Sequence, residues 1–218
     1  MKTSDPVRGQ PTDLLWRHEA HDPRSTGPTQ LLSVGHGTMS REALAELLTG
    51  AGVELVVDVR SVPGSRRHPQ FGRSELEEWL PAAGLCYRWE PSLGGFRRPE
   101  ANSRNVVLRH PSFRGYADYM ASDRFGHALA SVLQEASAQV LTLMCAETLW
   151  WRCHRRLIAD AATLCFHAEV RHLGHDGRLS PHRLTAGVRV DSGGGLVYDA
   201  GQPPLDAGGP GTLAQPSR

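Results

Sequence analysis

The chain has 218 residues, a formal net charge of +1 and 39% hydrophobic residues. This length exceeds one ordinary domain but would crowd two. The near-neutral charge excludes a whole-molecule field that draws the protein onto nucleic acid or an anionic membrane. The sequence shows neither a secretory signal nor an apolar run long enough to cross a membrane, so we expect a soluble cytoplasmic protein with reduced cysteines.

Both ends of the chain are rich in proline, glycine and polar residues. Such segments bury too little apolar surface to offset the entropy that is lost on ordering. We therefore predict a disordered N-terminal tail over residues 1–28, a single α/β domain over residues 29–175, and a mostly disordered C-terminal tail over residues 176–218. The sequence does not indicate an oligomeric state.

Apolar strand-like segments alternate with amphipathic helix-like segments along the predicted domain. The predicted strands cover residues 31–34, 53–59, 85–89, 139–144 and 168–173. The predicted helices begin after Ser40 and at Ser74, span 116–136 as one or two helices, and cover 149–164. This alternation predicts a Rossmann-like three-layer α/β/α sandwich with a mostly parallel sheet of about five strands.

Polar residues follow three of the predicted strands, which end near Val34, Asp58 and Met144. Ligands bind at the carboxyl ends of strands in open parallel sheets, so we expect these three loops to form a site. The first loop carries His36, which is either a site residue or a loop histidine that contacts a backbone carbonyl; we favour the site.

The second loop joins glycines and prolines to basic residues. Residues 60–73 contain four arginines and no acid, a composition suited to gripping a phosphate or carboxylate. We expect Arg60 to point to the other side of the strand from Asp58, so the two are not expected to be simple partners. Alternatively, Asp58 only shapes the loop by accepting backbone hydrogen bonds. Because Lys2 is the only lysine, a high-GC genome also accounts for part of the arginine content.

The third loop leads from Cys145 into the last predicted helix. Amide dipoles and the nearby Arg152 or Arg155 would favour the thiolate of Cys145. Glu147 is a candidate acid or base, or a partner of one of these arginines. Cys153 falls on the apolar stripe of the helix and is interpreted as a core residue.

The complete set of predicted site residues spans these loops and one helix entrance near residue 114. The predicted catalytic residues are Cys145, Glu147, Asp58 and His36, and the predicted substrate-binding residues are Arg60, Ser61, Ser65, Arg66, Arg114, Tyr116, Arg152, His154 and Arg155. No cofactor is predicted. A metal held by cysteines and histidines is a less favoured alternative, because the eight-residue separation of Cys145 and Cys153 matches no common zinc spacing.

Five motifs in this order closely resemble the domain-of-unknown-function family numbered 488, a family of uncharacterised conserved bacterial proteins. The motifs are Ser33-Val-Gly-His-Gly-Thr, Val57-Asp-Val-Arg-Ser-Val-Pro-Gly-Ser-Arg, Leu93-Gly-Gly, Phe113-Arg-Gly-Tyr-Ala-Asp-Tyr-Met, and Met144-Cys-Ala-Glu with Trp151-Arg-Cys-His-Arg. The resemblance covers about residues 31–173. It implies an α/β fold and places Asp58, Arg60, Cys145, Glu147, Cys153, His154 and Arg155 on the motif positions of the family, without implying an activity.

These observations favour an enzyme that acts on a phosphate-bearing or other anionic substrate, including a nucleotide or nucleic acid. In this hypothesis, arginines bind the anion, and Cys145 or Glu147 performs nucleophilic or acid–base chemistry. The alternative is a non-catalytic module that binds nucleic acid or a protein partner through its basic loops and Trp150 or Trp151. Rhodanese-like sulfur transfer and a metal or redox thiol protein are weaker alternatives.

Overall fold

The computed structural model describes residues 27–64 and 66–201. Most of the predicted N-terminal tail, the end of the C-terminal tail and Ser65 lie outside the described residues. Within the described part of the chain, no helix combines the length and the apolar character that a membrane span requires.

Eight strands and five α-helices make up the described structure. The strands are β1 Gln30–Gly35, β2 Leu55–Asp58, β3 Cys86–Trp89, β4 Leu141–Cys145, β5 Glu169–Leu173, β6 Leu179–Pro181, β7 Val188–Val190 and β8 Leu196–Tyr198. The helices are α1 Arg41–Gly50, α2 Arg73–Ala82, α3 Pro111–Tyr119, α4 Asp123–Ala136 and α5 Arg155–Phe166, with 3₁₀ turns at Pro69–Phe71, Pro91–Leu93 and Trp150–Arg152.

The main sheet has six strands in the order β3-β2-β4-β1-β5-β6. All neighbours among the first five strands are parallel, and β6 is antiparallel to β5. Because β4 lies between β1 and β2, the carboxyl ends of these three strands are adjacent. The topology therefore brings together the loops that follow Gly35, Asp58 and Cys145.

Two apolar cores cover the opposite faces of the sheet. Helices α1 and α2 bury Leu44 and Leu80 on one face, whereas α4 and α5 bury Leu129 and Leu157 on the other. Alternate residues of β2 divide between these cores, as the period of two along a strand requires. The predicted three-layer α/β sandwich with a mostly parallel sheet is confirmed, with six strands rather than five.

Two predicted helix starts differ from the structure: α3 begins at Pro111 rather than near residue 116, and the last helix begins later than predicted. Helix α1 begins as expected, because Ser40 Oγ accepts a hydrogen bond from the Ala43 amide at 3.1 Å. Helix α5 begins at Arg155 rather than near residue 149, because the 3₁₀ turn Trp150–Arg152 precedes it. The shift places Cys153 just before the amino end of α5 instead of inside the helix.

The fold continues beyond residue 175, where the sequence predicts a mostly disordered tail. Strands β7 and β8 form a hairpin, and the side chain of Tyr198 is fully buried. The Tyr198 amide donates to Asn105 Oδ1 at 3.0 Å, and its hydroxyl donates to Asp160 Oδ2 at 3.0 Å. The glycines that suggested disorder instead form the turn, in which Asp191 Oδ1 accepts from the Gly195 amide.

We predict that Gly115→Ala destabilises the protein, because Gly115 of α3 lies against the backbone of the preceding loop. A Cβ at this position would lie 2.6 Å from the carbonyl oxygen of Arg97 and 2.6 Å from the nitrogen of Pro99. Displacing backbone to relieve this overlap should cost about 1–3 kcal/mol.

Urea or thermal unfolding of Gly115→Ala measures this cost. Gly50→Ala at the end of α1 is the matched control, since no atom lies within 4 Å of its added Cβ. The control should be at least as stable as the wild type, because alanine favours helix. Equal stability of Gly115→Ala and the wild type would contradict the close approach.

Candidate functional site

Backbone hydrogen bonds join the three loops that the sequence places at the carboxyl edge. The His36 amide donates to the Cys145 carbonyl at 2.9 Å, and the Gly37 amide donates to the Ala146 carbonyl at 3.0 Å. The Val59 amide donates to the Met144 carbonyl at 3.0 Å. The polar residues after β1, β2 and β4 therefore surround one position at the edge of the sheet.

Asp58 and Arg60 form a buried ion pair, which corrects the expectation that they point apart. Arg60 Nε donates to both carboxylate oxygens of Asp58, at 2.8 and 3.1 Å, and the Arg60 amide donates to Oδ1 at 3.0 Å. Residues two apart on a strand lie on the same side, and the alternation of β2 continues through Val59, so Arg60 lies on the side of Asp58. Tyr87 also donates its hydroxyl to Asp58 at 3.0 Å. The guanidinium of Arg60 is thus largely occupied within the protein.

His36 is neutral and orients Arg60. Its Nε2 lies 3.3 Å from Arg60 Nη1, and its Nδ1 lies 3.0 Å from the Gly37 carbonyl. Because the guanidinium only donates and the carbonyl only accepts, Nδ1 carries the proton. Burial, and next the positive charge of Arg60, lower the pKa of His36 to about 4. The ring stacks on Phe71 with centroids 4.0 Å apart.

The second cluster contains two thiols and one imidazole. The sulfur atoms of Cys145 and Cys153 and a ring nitrogen of His154 lie within 4.8 Å of one another. His154 Nε2 donates to the Val59 carbonyl at 2.9 Å, which leaves the lone pair of Nδ1 facing Cys153 Sγ at 3.5 Å. The side chains of Cys145 and Cys153 are both buried, so water solvates these sulfurs poorly.

Arg155 places a buried positive charge against Cys153. Its side chain is 1% exposed. Its Nε donates to Cys153 Sγ at 3.5 Å, and its other nitrogens donate to Ser33 Oγ at 3.0 Å and to the Glu147 carbonyl. Among the residues that the structure describes, no carboxylate pairs with Arg155. A buried charge without a carboxylate favours a nearby anion, and Cys153 supplies the closest ionisable group.

The contacts of Cys153 with His154 and Arg155 favour a thiolate at Cys153 rather than at Cys145, where the sequence predicts it. A hydrogen bond from Cys145 lowers the pKa of Cys153 well below its ordinary value, and His154 and Arg155 act in the same direction. The same hydrogen bond, together with burial, raises the pKa of Cys145. Because α5 begins at Arg155, its amino end lies next to Cys153. Its dipole therefore acts on Cys153.

Gly35 permits the close packing around Arg155. A Cβ at Gly35 would overlap the Glu147 carbonyl and lie 2.8 Å from Arg155 Nη2. Any larger residue would separate β1 from the loop that follows β4. The glycine is therefore required by this contact, not by a turn.

A chain of buried polar residues holds Arg155 from behind, and the sequence analysis missed it. Ser33 Oγ accepts from Arg155 and donates to His172 Nδ1 at 3.2 Å. The other nitrogen of His172 donates to His182 Nδ1 at 3.0 Å, and His182 Nε2 donates to Asp160 Oδ1 at 3.0 Å. The hydrogen bonds of this chain all run in the same direction, from Arg155 through Ser33 and the two histidines, and the last acceptor is the carboxylate of Asp160. No local sequence motif predicts this chain, because its members come from β1, α5, β5 and the segment after β6.

Trp150 shields this chain on one side. Its ring stacks on His172 with centroids 4.1 Å apart and an angle of 7° between the planes. Burial, then the charges of His182 and Arg155, lower the pKa of His172 to about 3. His172 is therefore neutral near pH 7, as the direction of its hydrogen bonds requires.

Several predicted binding residues instead hold neighbouring loops. Ser61 Oγ donates to the Gly95 carbonyl at 2.6 Å, and the buried Tyr116 hydroxyl donates to the Leu93 carbonyl at 2.7 Å. Arg114 donates to the Leu108 carbonyl at 3.3 Å. These hydrogen bonds hold the backbone near Leu93, Gly95 and Leu108 in place.

Other predicted residues lie at the surface. Arg66 and Arg152 are exposed. The side chain of Glu147 is also exposed and accepts from the Leu149 amide at 3.2 Å, whereas its main-chain carbonyl contacts Arg155. The predicted role of Ser65 falls outside the described residues.

Among the residues that the structure describes, Cys145, Cys153 and His154 form a group that could hold a metal ion. They offer three ligands, one fewer than a closed structural zinc site provides. A dication there would also face the buried guanidinium of Arg155, whose Nε lies 3.5 Å from Cys153 Sγ. The charge already present therefore suits a thiolate better than a thiolate-bound dication.

We predict that Arg60→Met destabilises the protein by about 3 kcal/mol or more, because it strands the buried carboxylate of Asp58. The double variant Asp58→Asn/Arg60→Met removes both charges and should recover much of this loss. Chemical denaturation of the three proteins measures both effects. An Arg60→Met protein as stable as the wild type would contradict a structural role for the pair.

We predict that His36 makes the protein less stable in acid. Its folded pKa of about 4 lies below the ordinary value of 6.5, so the unfolded chain binds the proton first as the pH falls. The stability it contributes is complete above pH 6.5 and is lost between pH 6.5 and 4, by about 3 kcal/mol.

Urea denaturation at several pH values measures this loss. The variant His36→Gln keeps an acceptor for Arg60 but does not titrate, so its stability should fall less steeply in this window. Parallel pH profiles for the two proteins would contradict a lowered pKa at His36.

Comparison with known proteins agrees with the resemblance seen in the sequence. The family model described as Domain of unknown function DUF488 matches residues 40–162, which is more than half of the chain. This range contains Asp58, Arg60, Cys145, Cys153 and Arg155. Neither the curated proteins nor the solved structures include a match to the chain. The extent of the family match shows that this chain belongs to the DUF488 family.

Proposed function

We propose that this protein is an enzyme that uses Cys153 as its nucleophile on an anionic substrate. The observation that carries the proposal is the position of Cys153 Sγ, which lies 3.5 Å from both His154 Nδ1 and Arg155 Nε. A thiolate is the nucleophilic form of cysteine, and cationic neighbours stabilise it. Cys153 thus takes the role that the sequence analysis gave to Cys145.

His154 is suited to move the thiol proton. The Val59 carbonyl fixes the proton of the ring on Nε2, so Nδ1 can accept the proton of Cys153. The sulfur electron pair then forms a bond to the electrophilic atom of the substrate. The leaving group departs with its own electron pair and takes the proton from His154. Water or another acceptor releases the group from the sulfur in a second step.

Cys145 supports the thiolate as a hydrogen-bond donor. Its own pKa is raised, so it keeps its proton while Cys153 loses one. A neutral donor beside an anion stabilises the anion without adding charge. Cys145 therefore assists Cys153 and is not the attacking group.

The preference for an anionic substrate rests on the local charge. The buried Arg155 has no carboxylate partner among the described residues, and Arg66 and Arg152 are exposed. Arg60 contributes less than the sequence suggested, because Asp58 neutralises it. The buried chain from Ser33 to Asp160 keeps the guanidinium of Arg155 in place during the reaction.

A second candidate is thiol–disulfide exchange between Cys145 and Cys153. The two sulfurs are close enough that a small movement would join them. In this case a disulfide substrate is the oxidant: Cys153 forms a mixed disulfide, and Cys145 then displaces the reduced product. Mass analysis after treatment with oxidised glutathione distinguishes the candidates, because only exchange leaves an intramolecular disulfide in the wild type and a stable mixed disulfide in Cys145→Ser.

We predict that Cys153 is alkylated by iodoacetamide with a pH midpoint well below that of an ordinary thiol. Peptide mass mapping across a pH series measures the midpoint. Cys86 is exposed and serves as the internal control within the same protein. Cys145→Ala should raise the midpoint of Cys153, because the thiolate loses a hydrogen bond. Arg155→Lys should also raise it, because the donation from Nε is lost.

Two results would overturn the proposal. One is a midpoint for Cys153 at or above that of Cys86. The other is stoichiometric zinc in the purified wild type that is absent from Cys153→Ser, since a metal-bound sulfur is not a free nucleophile.

A further inference from the structure

A groove opens beside the thiol site. One of its sides is formed by residues 176–201, which we call the C-terminal extension. Its volume is about 550 Å³, and its walls come from residues 107–113, the turn Trp150–Arg152, the start of α5 and residues 183–186. The groove and the thiol site share the turn that precedes Cys153. The volume lies within the range that small-molecule sites occupy.

The groove has a positive lining. Three arginines contribute to it, namely Arg109, Arg156 and Arg183, and none of the residues that line it is acidic. None of these arginines forms an ion pair within the described part of the chain. Elsewhere, Arg88 and Arg171 pair with glutamates. The groove therefore attracts an anion.

Two polar atoms in the groove lining lack a partner. Arg156 Nε and Thr185 Oγ1 are buried and make no hydrogen bond to any described residue. Buried polar atoms are normally satisfied, so these two leave hydrogen-bonding capacity unused in the groove wall. The Arg156 guanidinium lies over the ring of Phe113, 5.0 Å from its centroid, which holds this cation at the groove wall.

Aromatic rings occupy the same groove. Trp150 is fixed by its stack on His172, and Trp151 packs edge-on against Trp150 with centroids 5.6 Å apart. Trp151 nevertheless remains 49% exposed. An indole held rigidly and partly open to solvent offers a face on which a planar ring can stack.

We propose that this groove binds a mononucleotide, with its base on Trp151 and its phosphate held by Arg109, Arg156 and Arg183. Arginine clusters recognise phosphate, and indole faces stack on bases, so the groove combines the two chemistries that a nucleotide presents. The size of the groove suits one nucleotide better than a strand. In addition, a net charge of +1 gives the protein little long-range attraction for a polyanion such as a nucleic-acid strand.

This inference goes beyond the proposed function and does not depend on it. Nucleotide binding requires the arginines and Trp151, whereas nucleophilic attack requires Cys153. Each property can fail while the other holds.

Isothermal titration of the full chain with purine and pyrimidine mononucleotides tests the proposal. Trp151→Ala and Arg183→Ala should each weaken the affinity about tenfold or more, because stacking and phosphate contacts are lost. Both residues are well exposed, so the variants should fold. Arg178→Ala is the matched control, since Arg178 is exposed but lies outside the groove. Cys153→Ser should bind as the wild type does.

Inorganic phosphate and a single-stranded oligonucleotide, used as comparison ligands, distinguish the proposal from its alternatives. Inorganic phosphate should bind more weakly than a mononucleotide; equal affinity would overturn the proposal, because the base would not be recognised. A short single-stranded oligonucleotide that binds much more tightly, with steep salt dependence, would replace the proposal with nucleic-acid binding. No heat with any mononucleotide at millimolar concentration, or the same affinity in Trp151→Ala and Arg183→Ala, would also overturn it. The pH profile of Cys153 alkylation should not change in either groove variant.

Discussion

The buried guanidinium of Arg155 connects the parts of the structure on which the candidate site depends. It donates to Ser33 in β1, to the Glu147 carbonyl after β4, and to Cys153 before α5. A guanidinium loses much hydration energy on burial, so each of these acceptors must lie in place. The close approach that Gly35 allows serves these contacts, and Arg155 is one of the cationic neighbours of Cys153.

The C-terminal extension joins the two proposed sites. Asp160 of α5 accepts hydrogen bonds from His182 and from the Tyr198 hydroxyl, and also from the Thr185 amide. The same segment forms one wall of the groove. Residues after 175 therefore complete the support behind Arg155 and line the proposed nucleotide site. The family match ends at residue 162, so this support lies beyond the matched range.

The sequence indicates which loops form the candidate site, but not how their side chains interact. The strand ends after Val34, Asp58 and Met144 follow from hydrophobic pattern and parallel topology, and the structure joins their loops. One interaction, the pairing of Asp58 with Arg60, was nevertheless predictable, because residues two apart on a strand lie on the same side, and the expectation that they point apart was wrong. The assignment of the thiolate to Cys145 stays a prediction, and the contacts of Cys153 with His154 and Arg155 favour Cys153 instead. It depended on a helix start that was placed several residues early.

The sequence by itself determined the α/β class, the alternation of strands and helices, the family and the edge of the sheet where the three polar loops meet. These features depend on local periodicity, which the chain carries residue by residue. Only the tertiary structure decided which arginines are neutralised, which cysteine is acidic, and that Ser33, His172, His182 and Asp160 form one chain. Those properties depend on burial and on contacts between distant segments, and no local pattern records either.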